Sequence, residues 1–323
     1  MKILRSINDL SSVPGPIVLG VGTFDGLHLG HQSLIRRSME EAKKRGGTAV
    51  VMTFDRHPAS VVRPEHSPGL LTTVDLKLRL LERMGVEFVL ILEFNKTFAA
   101  TPAEKFVSAI AHSANPLAMI CTGSRWSFGK GGVGSIALLE EFGGELGFSV
   151  LKIDPLGIGG KPISSTRIRD AVASGDLAEA CACLGRPYLL SGTVVSGAGL
   201  GSRIGFPTAN LDVRGMQLPP NGVYAVRVHT DDNDFAGVAN IGVRPTVNST
   251  GSRRTIEVHL FSFSENLSGR ELNVEFLKFL RPEEKFPSIT ALTAQIARDC
   301  ETAKEVSISE YVPPTFSGMG TGV

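Results

Sequence analysis

The sequence predicts an α/β domain with a parallel sheet, followed by a small antiparallel β-barrel domain with a C-terminal helix. Apolar, β-branched runs alternate with helical patterns through the first 185 residues, as in sheets with crossover helices. Beyond that point, short strand candidates follow one another across turn residues, as in barrels. The 323 residues, 42 % of them hydrophobic, suffice for two cores at about 100–200 residues per domain. The predicted first domain spans residues 1–185 and the second spans 186–310, followed by a flexible tail, 311–323.

The first domain contains five predicted strands that alternate with helices. Helices are predicted at 32–45, 74–84 and 103–112, the last after the start signal Thr101-Pro102. Strands joined by helices need right-handed crossovers and therefore form a parallel sheet. Ligands of such sheets bind beyond the carboxyl ends of the strands, so the loops that follow the strands are the candidate site. The strand candidates are 17–22, 48–54, 87–92, 117–122 and 149–153.

The second domain is predicted to consist of short strands closed by one helix. Turn residues separate the strands, as in the P-P-N-G run at 219–222 and the D-D-N run at 231–233. One amphipathic pattern, 288–304, predicts the closing helix. The strand candidates are 189–195, 223–229, 235–241, 255–261 and 271–276.

Composition and charge argue against several classes of protein. The 33 basic residues are balanced by 32 acidic ones, which disfavours a nucleic-acid-binding protein but is compatible with a small anionic ligand. No apolar run approaches the roughly 18 residues of a membrane helix, and the first residues do not form a signal-peptide core. We therefore expect a cytoplasmic protein without nucleic-acid or membrane partners. The cysteines lack zinc-site spacing and are expected to be reduced thiols: Cys121, Cys181, Cys183 and Cys300.

A glycine-bearing segment with two histidines lies between the first predicted strand and its helix. Residues 22–31 read G-T-F-D-G-L-H-L-G-H. A strand-to-helix turn points backbone N–H groups and the positive end of the helix dipole beyond the strand, and glycine lets a phosphate approach closely. His28 and His31 can both donate to phosphate oxygens from this position. The segment predicts a phosphate site, against the alternative that the histidines are ordinary turn and surface residues.

This segment resembles the H-x-G-H signature of the nucleotidylyltransferase superfamily, and the wider run is similar to the adenylyltransferase module of prokaryotic bifunctional riboflavin kinase/FAD synthetases. Residues 163–169, I-S-S-T-R-I-R, resemble a second signature of the superfamily. The resemblance implies a Rossmann-like domain that transfers AMP from ATP to FMN, with His28 and His31 as catalytic residues that stabilise the leaving pyrophosphate. It also implies ATP-binding roles for Gly22, Phe24, Asp25, Gly30, Ser164, Ser165, Thr166 and Arg169.

A second glycine-bearing segment, 123–129, follows the fourth predicted strand and departs from the family at one position. It reads G-S-R-W-S-F-G and resembles the family's G-x-[N/D]-F-x-F-G, but Arg125 offers no acceptor oxygen. We hypothesise that Arg125 either grips a phosphate or impairs FAD synthesis. If Arg125 impairs FAD synthesis, the chain acts as a riboflavin kinase only, and its first domain serves as a flavin- or nucleotide-binding module. FMN-binding roles are implied for Arg125, Trp126, Phe128, Asp55 and His57, the last two within the family-like segment 51–58.

The third glycine-rich segment, 192–210, is the most specific in the chain. Its glycines predict a flexible loop that can wrap a nucleotide, and Thr208 and Asn210 offer neutral oxygen ligands suited to Mg²⁺. Residues 205–210, G-F-P-T-A-N, resemble the signature of riboflavin kinases, which implies phosphorylation of riboflavin to FMN with Mg²⁺ and ATP. ATP-binding roles are implied for Gly197, Gly199, Gly201, Arg203, Gly205, Pro207, Thr208 and Asn210, and Mg²⁺ ligation for Thr208 and Asn210.

Glu257 is the predicted general base of the kinase reaction. The ribityl 5′-hydroxyl is a poor nucleophile unless a carboxylate removes its proton as it attacks the γ-phosphate. An outward-facing strand Glu is the alternative, and the resemblance of 256–259, I-E-V-H, to the family favours the catalytic role. The chain is thus expected to make FMN and then FAD from riboflavin and two ATP. The rival hypotheses are a flavin-responsive regulator and a cytidylyltransferase that acts on another alcohol phosphate.

Overall fold

The structure, a computed structural model, describes residues 1–197, 200–230, 233–244 and 253–309. The chain divides into two compact units, Met1–Arg167 and Ile168–Val323. The domain boundary expected after residue 185 stays a prediction. The expected flexible tail, 311–323, lies outside the described residues.

The first unit is built around a parallel sheet, as the sequence predicts. The strands and helices are, in chain order, β1 (Lys2–Leu4), β2 (Ile17–Val21), α1 (Leu29–Lys44), β3 (Thr48–Phe54), α2 (Ala59–Val62), α3 (Val74–Arg83), β4 (Phe88–Leu92), α4 (Lys96–Ala99), α5 (Ala103–Ser113), β5 (Leu117–Gly123), α6 (Ile136–Leu146), β6 (Ser149–Ile153), β7 (Gly157–Ile158), β8 (Lys161–Pro162) and α7 (Ser165–Ser174), which crosses the boundary between the units.

The sheet has the strand order β1-β4-β3-β2-β5-β6, and its strands are all parallel. The five predicted strands are confirmed. Strand β1 was not predicted, because three residues at a sheet edge carry too short a pattern. From β2 the chain continues to β3 and β4 on one side and later places β5 and β6 on the other. Strand order therefore reverses at β2 and β5, and the crevice beyond their carboxyl ends is where such sheets bind ligands.

The predicted helices of the first unit are all present, but α1 begins earlier than expected, and α2, α4 and α6 were not predicted. Helix α1 begins at Leu29, three residues before the predicted start, because the His28 side chain caps it. Helix α6 was not predicted, since Gly143 and Gly144 weaken its helical pattern. The predicted helices 74–84 and 103–112 are confirmed to within one residue as α3 and α5.

The second unit is a closed antiparallel barrel with the strand order β10-β13-β12-β11-β14-β9. The five predicted strands are confirmed, whereas β10 was missed because its four residues carry little apolar pattern. The remaining strands and helices are α8 (Leu177–Leu184), β9 (Leu189–Val195), α9 (Leu200–Arg203), β10 (Ala209–Asp212), β11 (Gly222–His229), β12 (Asp234–Arg244), β13 (Arg253–Leu260), β14 (Glu271–Arg281) and α10 (Ile289–Ser309).

Side chains alternate along the barrel strands, and this alternation positions the candidate kinase residues. On β13, Ile256, Val258 and Leu260 are buried in the core, so that Glu257 and His259 face the other side of the strand. The predicted helix 288–304 is confirmed as α10, whose buried face packs against strands β11 and β12. In the described part of the chain, no helix is both long enough and apolar enough to cross a membrane.

Candidate active sites

The loop between β2 and α1 has a strained backbone. Phe24 and Leu27, neither of them glycine, have φ values of 52° and 43°, a conformation that costs on the order of 1–3 kcal/mol per residue. Phe24 is fully buried, and the buried Asp25 carboxylate accepts hydrogen bonds from the Leu71 and Thr72 amides at 3.0 and 3.1 Å. These contacts offset the strain. Asp25, expected at the ATP site, therefore also anchors the loop on the neighbouring backbone.

The two histidines of this loop form one stacked pair. The ring centroids of His28 and His31 lie 3.5 Å apart with an interplanar angle of 17°. Nδ1 of His28 accepts the backbone N–H of His31 at 3.2 Å and so caps α1. A Cβ atom at Gly30 would lie 3.1 Å from Cε1 of the His28 ring, so a residue without a side chain lets the ring fold over the first helical turn.

Both rings are neutral at pH 7. Burial lowers the pKa of His28 to about 4. Burial, followed by the nearby His28 and Lys77, holds the pKa of His31 well below its usual range. Because Nδ1 of His28 accepts a hydrogen bond, its proton resides on Nε2, which is left as a donor. Nδ1 of His31 is buried and has no hydrogen-bond partner among the described residues, so the donor that these contacts define for an anionic ligand is Nε2 of His28.

The loop after β3 is fixed by hydrogen bonds within its own region. The Asp55 carboxylate accepts from the Phe94 amide at 2.8 Å and from the Arg56 guanidinium at 2.8 Å. Burial acts to raise the pKa of Asp55, but the bonds from Arg56 and Phe94 outweigh it and lower the pKa. The His57 ring accepts the Ala59 amide at its Nδ1, 3.1 Å away. Both predicted FMN-binding residues of this loop are therefore held in place.

A continuous row of aromatic rings connects the β3 loop with the segment after β5. Trp126 and Phe128, whose rings stack 4.7 Å apart, are the two members of this row that were predicted as site residues. Phe128 itself is buried in the core of the first unit. Phe94 and Phe98 were missed, although their position after a predicted strand was a usable signal. The successive contacts, with centroids 5.1–6.3 Å apart, are Phe54–Phe94, Phe94–Phe98, Phe98–Phe106 and Phe106–Phe128.

Arg125, the residue that departs from the family pattern, is exposed. It follows β5 by two residues and precedes the half-buried Trp126. Its guanidinium makes no hydrogen bond or ion pair within the described ranges, so its position is set by the loop and not by a partner.

The start of α7 joins the two halves of the nucleotidylyltransferase signature. Oγ of Ser164 accepts the Arg167 amide at 3.2 Å, and Oγ of Ser165 donates to the Asp25 carbonyl oxygen at 2.9 Å. The Arg167 guanidinium donates to carbonyl oxygens of the β7–β8 hairpin. Thr166 is exposed and Arg169 half-buried on the same helix. Ser165 therefore contacts the histidine-bearing loop at Asp25, whereas Ser164 caps its own helix.

The glycine-rich loop of the second unit packs closely on Asn210. A Cβ atom at Gly197 would lie only 2.1 Å from Nδ2 of Asn210, so a larger residue at this position would displace the Asn210 carboxamide. The loop then turns back at Gly201, whose carbonyl oxygen accepts the Phe206 amide at 2.8 Å. The other predicted ATP-binding residues Arg203, Gly205 and Pro207 are exposed along this turn, and Gly199 lies outside the described residues.

Glu257 lines a cavity of about 580 Å³ between the barrel and α10. Across the barrel sheet it is paired with Asn210 on β10 and with Asn240 on β12, so these three side chains lie in a row on one face. Thr208 and Asn240 also line the cavity. Asn240 was not among the predicted site residues, because only the strand register places it beside Glu257.

The opposite wall of the cavity is braced by an ion pair. Nε of Arg281 lies 3.0 Å from Oδ1 of Asp299 and its terminal nitrogen 2.8 Å from Oδ2, while Gln295 donates to the same carboxylate at 2.9 Å. The guanidinium also lies 5.5 Å from the centre of the Phe286 ring. Charge-assisted, two-point pairs of this kind fix orientation as well as distance. The segment after β14 is thereby held against α10.

The arrangement does not contain a ready-made cluster of strong metal ligands. Among the described residues, no group of three or more His, Cys, Asp or Glu side chains could hold a metal ion. A Mg²⁺ site would therefore combine hydroxyl and carboxamide oxygens, such as those of Thr208 and Asn210, with oxygens of the nucleotide. This donor set fits a hard cation.

Comparison with known proteins assigns one family domain to each part of the chain. Residues 11–167 match the FAD synthetase family model, and residues 184–307 match the riboflavin kinase model. Bifunctional riboflavin kinase/FMN adenylyltransferase of Escherichia coli (strain K12) is 41 % identical over 94 % of this chain and 97 % of its own. The protein of that name from Bacillus subtilis (strain 168) is 35 % identical over 88 % and 91 %.

A solved structure covers the same length. A Streptococcus pneumoniae protein described as a macrolide-efflux protein is 30 % identical, with a TM-score of 0.79 over 94 % of this chain and 99 % of that one. The two family domains occur in the predicted order, and the curated relatives align with nearly the whole chain. The chain therefore belongs to the bifunctional riboflavin kinase/FMN adenylyltransferase family.

Proposed function

We propose that this protein phosphorylates riboflavin to FMN in its second unit and adenylylates FMN to FAD in its first, using one ATP for each reaction. The observation that supports the proposal is that each unit has its own candidate site. The first presents the stacked His28–His31 pair at the carboxyl edge of a parallel sheet. The second presents Glu257 in a cavity of a size suited to a small molecule.

In the kinase reaction, Glu257 acts as the general base. It takes the proton of the ribityl 5′-hydroxyl while that oxygen forms a bond to the γ-phosphorus and the bond to the departing ADP breaks. The flanking Asn210 and Asn240 orient the carboxylate or the hydroxyl. The glycine-rich loop binds the ATP phosphates through Gly197, Gly199, Gly201, Arg203, Gly205, Pro207, Thr208 and Asn210.

Magnesium would be held by Thr208 and Asn210 together with phosphate oxygens of ATP. A bound Mg²⁺ supplies positive charge that offsets the charge developing on the transferred phosphate. Thr208 lines the same cavity as Glu257, and Asn210 is its cross-strand neighbour. These two contacts support the assignment, because they bring metal ligands and base to one place.

In the adenylyltransferase reaction, an oxygen of the FMN phosphate attacks the α-phosphorus of ATP and pyrophosphate leaves. The attacking group is already an anion, so this reaction needs positioning and charge stabilisation more than a base. His28 and His31 donate N–H groups to the leaving pyrophosphate. Gly22, Phe24, Asp25, Gly30, Ser164, Ser165, Thr166 and Arg169 form the ATP site.

FMN is bound near the row of aromatic rings in the first unit. Its isoalloxazine ring can stack on aromatic side chains, and Trp126 is a half-buried ring of the row that is adjacent to Arg125 in sequence. We assign to Arg125 the role of binding the FMN phosphate through its guanidinium group. Asp55, His57 and Phe128 complete the proposed site.

One experiment tests both reactions and the rival hypotheses. The purified chain is incubated with riboflavin, ATP and Mg²⁺, and the flavins are separated by chromatography. FMN followed by FAD supports the proposal. FMN alone indicates a kinase whose first unit only binds ligand, and no turnover of flavin contradicts both activities. Repeating the assay after removal of Mg²⁺ by a chelator tests the metal, and we expect both products to be lost.

The cellular location and the domain boundaries are part of the same proposal. We propose a cytoplasmic location, because both proposed reactions consume ATP, which the cytoplasm supplies. We also propose domains 1–185 and 186–310. Expression of each segment alone, followed by the corresponding assay, tests the boundary.

A further inference from the structure

Lys77 is a buried lysine that none of the predicted sites includes. It lies on α3 and is only 5 % exposed. The adjacent Leu76 and, one turn further along, Leu80 and Leu81 are buried on the same helix. Lysines are almost never buried this deeply unless they are paired. The partners of the ammonium group therefore indicate what this side chain does.

The ammonium group joins the ends of two neighbouring strands, β2 and β3. Its Nζ donates to the Thr23 carbonyl oxygen at 2.9 Å, to Oγ1 of Thr53 at 3.2 Å and to the Phe54 carbonyl oxygen at 3.4 Å. Oγ1 of Thr53 in turn donates to the Thr23 carbonyl oxygen at 3.0 Å. Since an ammonium group has three donors, all of them are used in this arrangement.

Each of these strand ends leads directly into a proposed site. Thr23 precedes Phe24, whose φ of 52° begins the strained loop that carries His28. Phe54 precedes Asp55 in the loop of the proposed FMN site. The ammonium group binds both carbonyl oxygens and thus adds to the hydrogen bonds of Gly22 and Thr53 that join these strand ends, so it contributes to the distance between the two loops.

Burial of the charged Lys77 side chain destabilises the folded state. Burial lowers its pKa to about 8, although the Asp25 and Asp55 carboxylates act to raise it. Because burial disfavours the charged form, an uncharged side chain of similar length would fill this space without that penalty. Space filling alone does not account for an ammonium group here, whereas the three hydrogen bonds do.

We propose that Lys77 is a positioning residue for adenylyl transfer, which holds the loop of the histidine pair and the Asp55 loop in the relative position that the reaction needs. The inference rests on the proposed FMN adenylyltransferase function of the first unit. A displacement of reacting groups by about 1 Å can cost on the order of 100-fold in rate. Loss of the ammonium group should therefore lower kcat more than it changes KM.

The test compares Lys77→Met with the matched control Lys105→Met, which alters an exposed lysine on α5. Steady-state FAD formation from FMN and ATP is measured for both, with riboflavin phosphorylation as an internal reference in the same preparations. We expect kcat for FAD formation to fall by about 10- to 100-fold in Lys77→Met, with KM for ATP and FMN within about threefold of the unsubstituted chain. Lys105→Met should match the unsubstituted chain.

The pH profile separates this role from simple packing. Above pH 8 the Lys77 amine becomes neutral and can donate only two hydrogen bonds, so kcat for FAD formation should decline there in the unsubstituted chain. The groups that face it are the Asp25 carboxylate, Asp55 and His31. The pKa of Asp55 and the pKa of His31 are both lowered, so neither of these two groups titrates between pH 8 and 9. The decline should be absent in Lys77→Met and absent from the kinase reaction. An unchanged decline in Lys77→Met overturns the inference.

A second variant covers the case in which Lys77→Met disturbs folding. Thr53→Val removes one of the three acceptors while conserving shape, and it should lower kcat in the same direction but less. In a double-mutant cycle the two losses should not add, because both changes act on one hydrogen-bonded group. Additive losses, or a Thr53→Val variant with unchanged kcat, contradict the inference.

The failure of this inference can be distinguished from the failure of the proposed function. Absence of FAD from the unsubstituted chain overturns the proposed function, whereas normal FAD formation by Lys77→Met overturns only the role of Lys77.

Discussion

The imidazole of His28 stacks on that of His31 at 3.5 Å, and its Nδ1 accepts the backbone N–H of the same His31. One side chain thus caps helix α1 and keeps Nε2 as a donor. The cap is an observed structural role, whereas the donor carries the proposed catalytic role. Because asparagine also caps helices well, the two roles can be separated by substitution.

His28→Asn should keep the cap and lose the Nε2–H donor of the imidazole, because the shorter carboxamide carries its N–H groups at a different position. We expect FAD formation to fall by about 10²–10³-fold, the usual loss for one donor to a developing charge, while thermal unfolding stays close to that of the unsubstituted chain. His28→Ala should show the same loss of rate and in addition about 1 kcal/mol less stability, because the cap is gone as well. FAD formation by His28→Asn at the normal rate would remove His28 from the chemistry.

The first unit should lose stability in acid because of its buried histidines. The folded state keeps His28 neutral, with its pKa at about 4 against an ordinary value of 6.5. Below pH 6.5 the unfolded chain binds a proton at His28 that the folded chain does not bind, so the free energy of unfolding decreases as the pH falls from 6.5 to about 4. The total decrease is about 3 kcal/mol, and above pH 6.5 there is none. The lowered pKa of His31 makes a further contribution of the same sign to the loss of stability in acid.

The fluorescence of Trp126, the single tryptophan of the chain, measures unfolding of the first unit separately. Denaturant unfolding at pH 7 and at pH 4.5 should give a smaller loss of unfolding free energy for His28→Asn than for the unsubstituted chain. Equal losses in the two proteins would contradict the assignment of the acid sensitivity to His28.

Glu257→Gln should abolish conversion of riboflavin to FMN and leave adenylylation of added FMN intact. The amide keeps the shape of the side chain but cannot accept the hydroxyl proton, so a loss of about 10²–10⁴-fold is expected. Glu305→Gln, at an exposed position of α10, is the matched control. Both flavin conversions are measured on each variant, and unchanged kinase turnover in Glu257→Gln would show that another group acts as the base.

Arg125→Asn should weaken FMN binding by the first unit. Arg125 is exposed, so its removal should change stability by less than about 0.5 kcal/mol. Loss of a charged contact to the FMN phosphate should raise KM for FMN by about tenfold, with a smaller change in kcat. Arg5→Asn, which also alters an exposed arginine, serves as the control. An increase in FAD formation would instead show that Arg125 obstructs the site.

Much of the candidate site could be predicted from sequence because its residues come in contiguous segments. The histidine pair, the I-S-S-T segment and the G-F-P-T-A-N segment each lie within about ten residues and carry their own local geometry. Asn240 and Lys77 could not be found this way. Asn240 becomes relevant only through the register of β12 with β13, and Lys77 only because α3 brings its ammonium group to the ends of β2 and β3.

The sequence by itself determined the fold class and the order of the strands and helices with a clear periodic pattern, since hydrophobic periodicity and turn residues are local properties of the chain. It also predicted which segments form the candidate phosphate sites. It did not reveal β1, α6 or β10. Only the tertiary structure decided the protonation of the histidine pair, because burial sets the pKa of His28 and depends on the whole packed unit. The same is true of the row Asn210–Glu257–Asn240, which exists only once three strands distant in sequence are paired in one barrel.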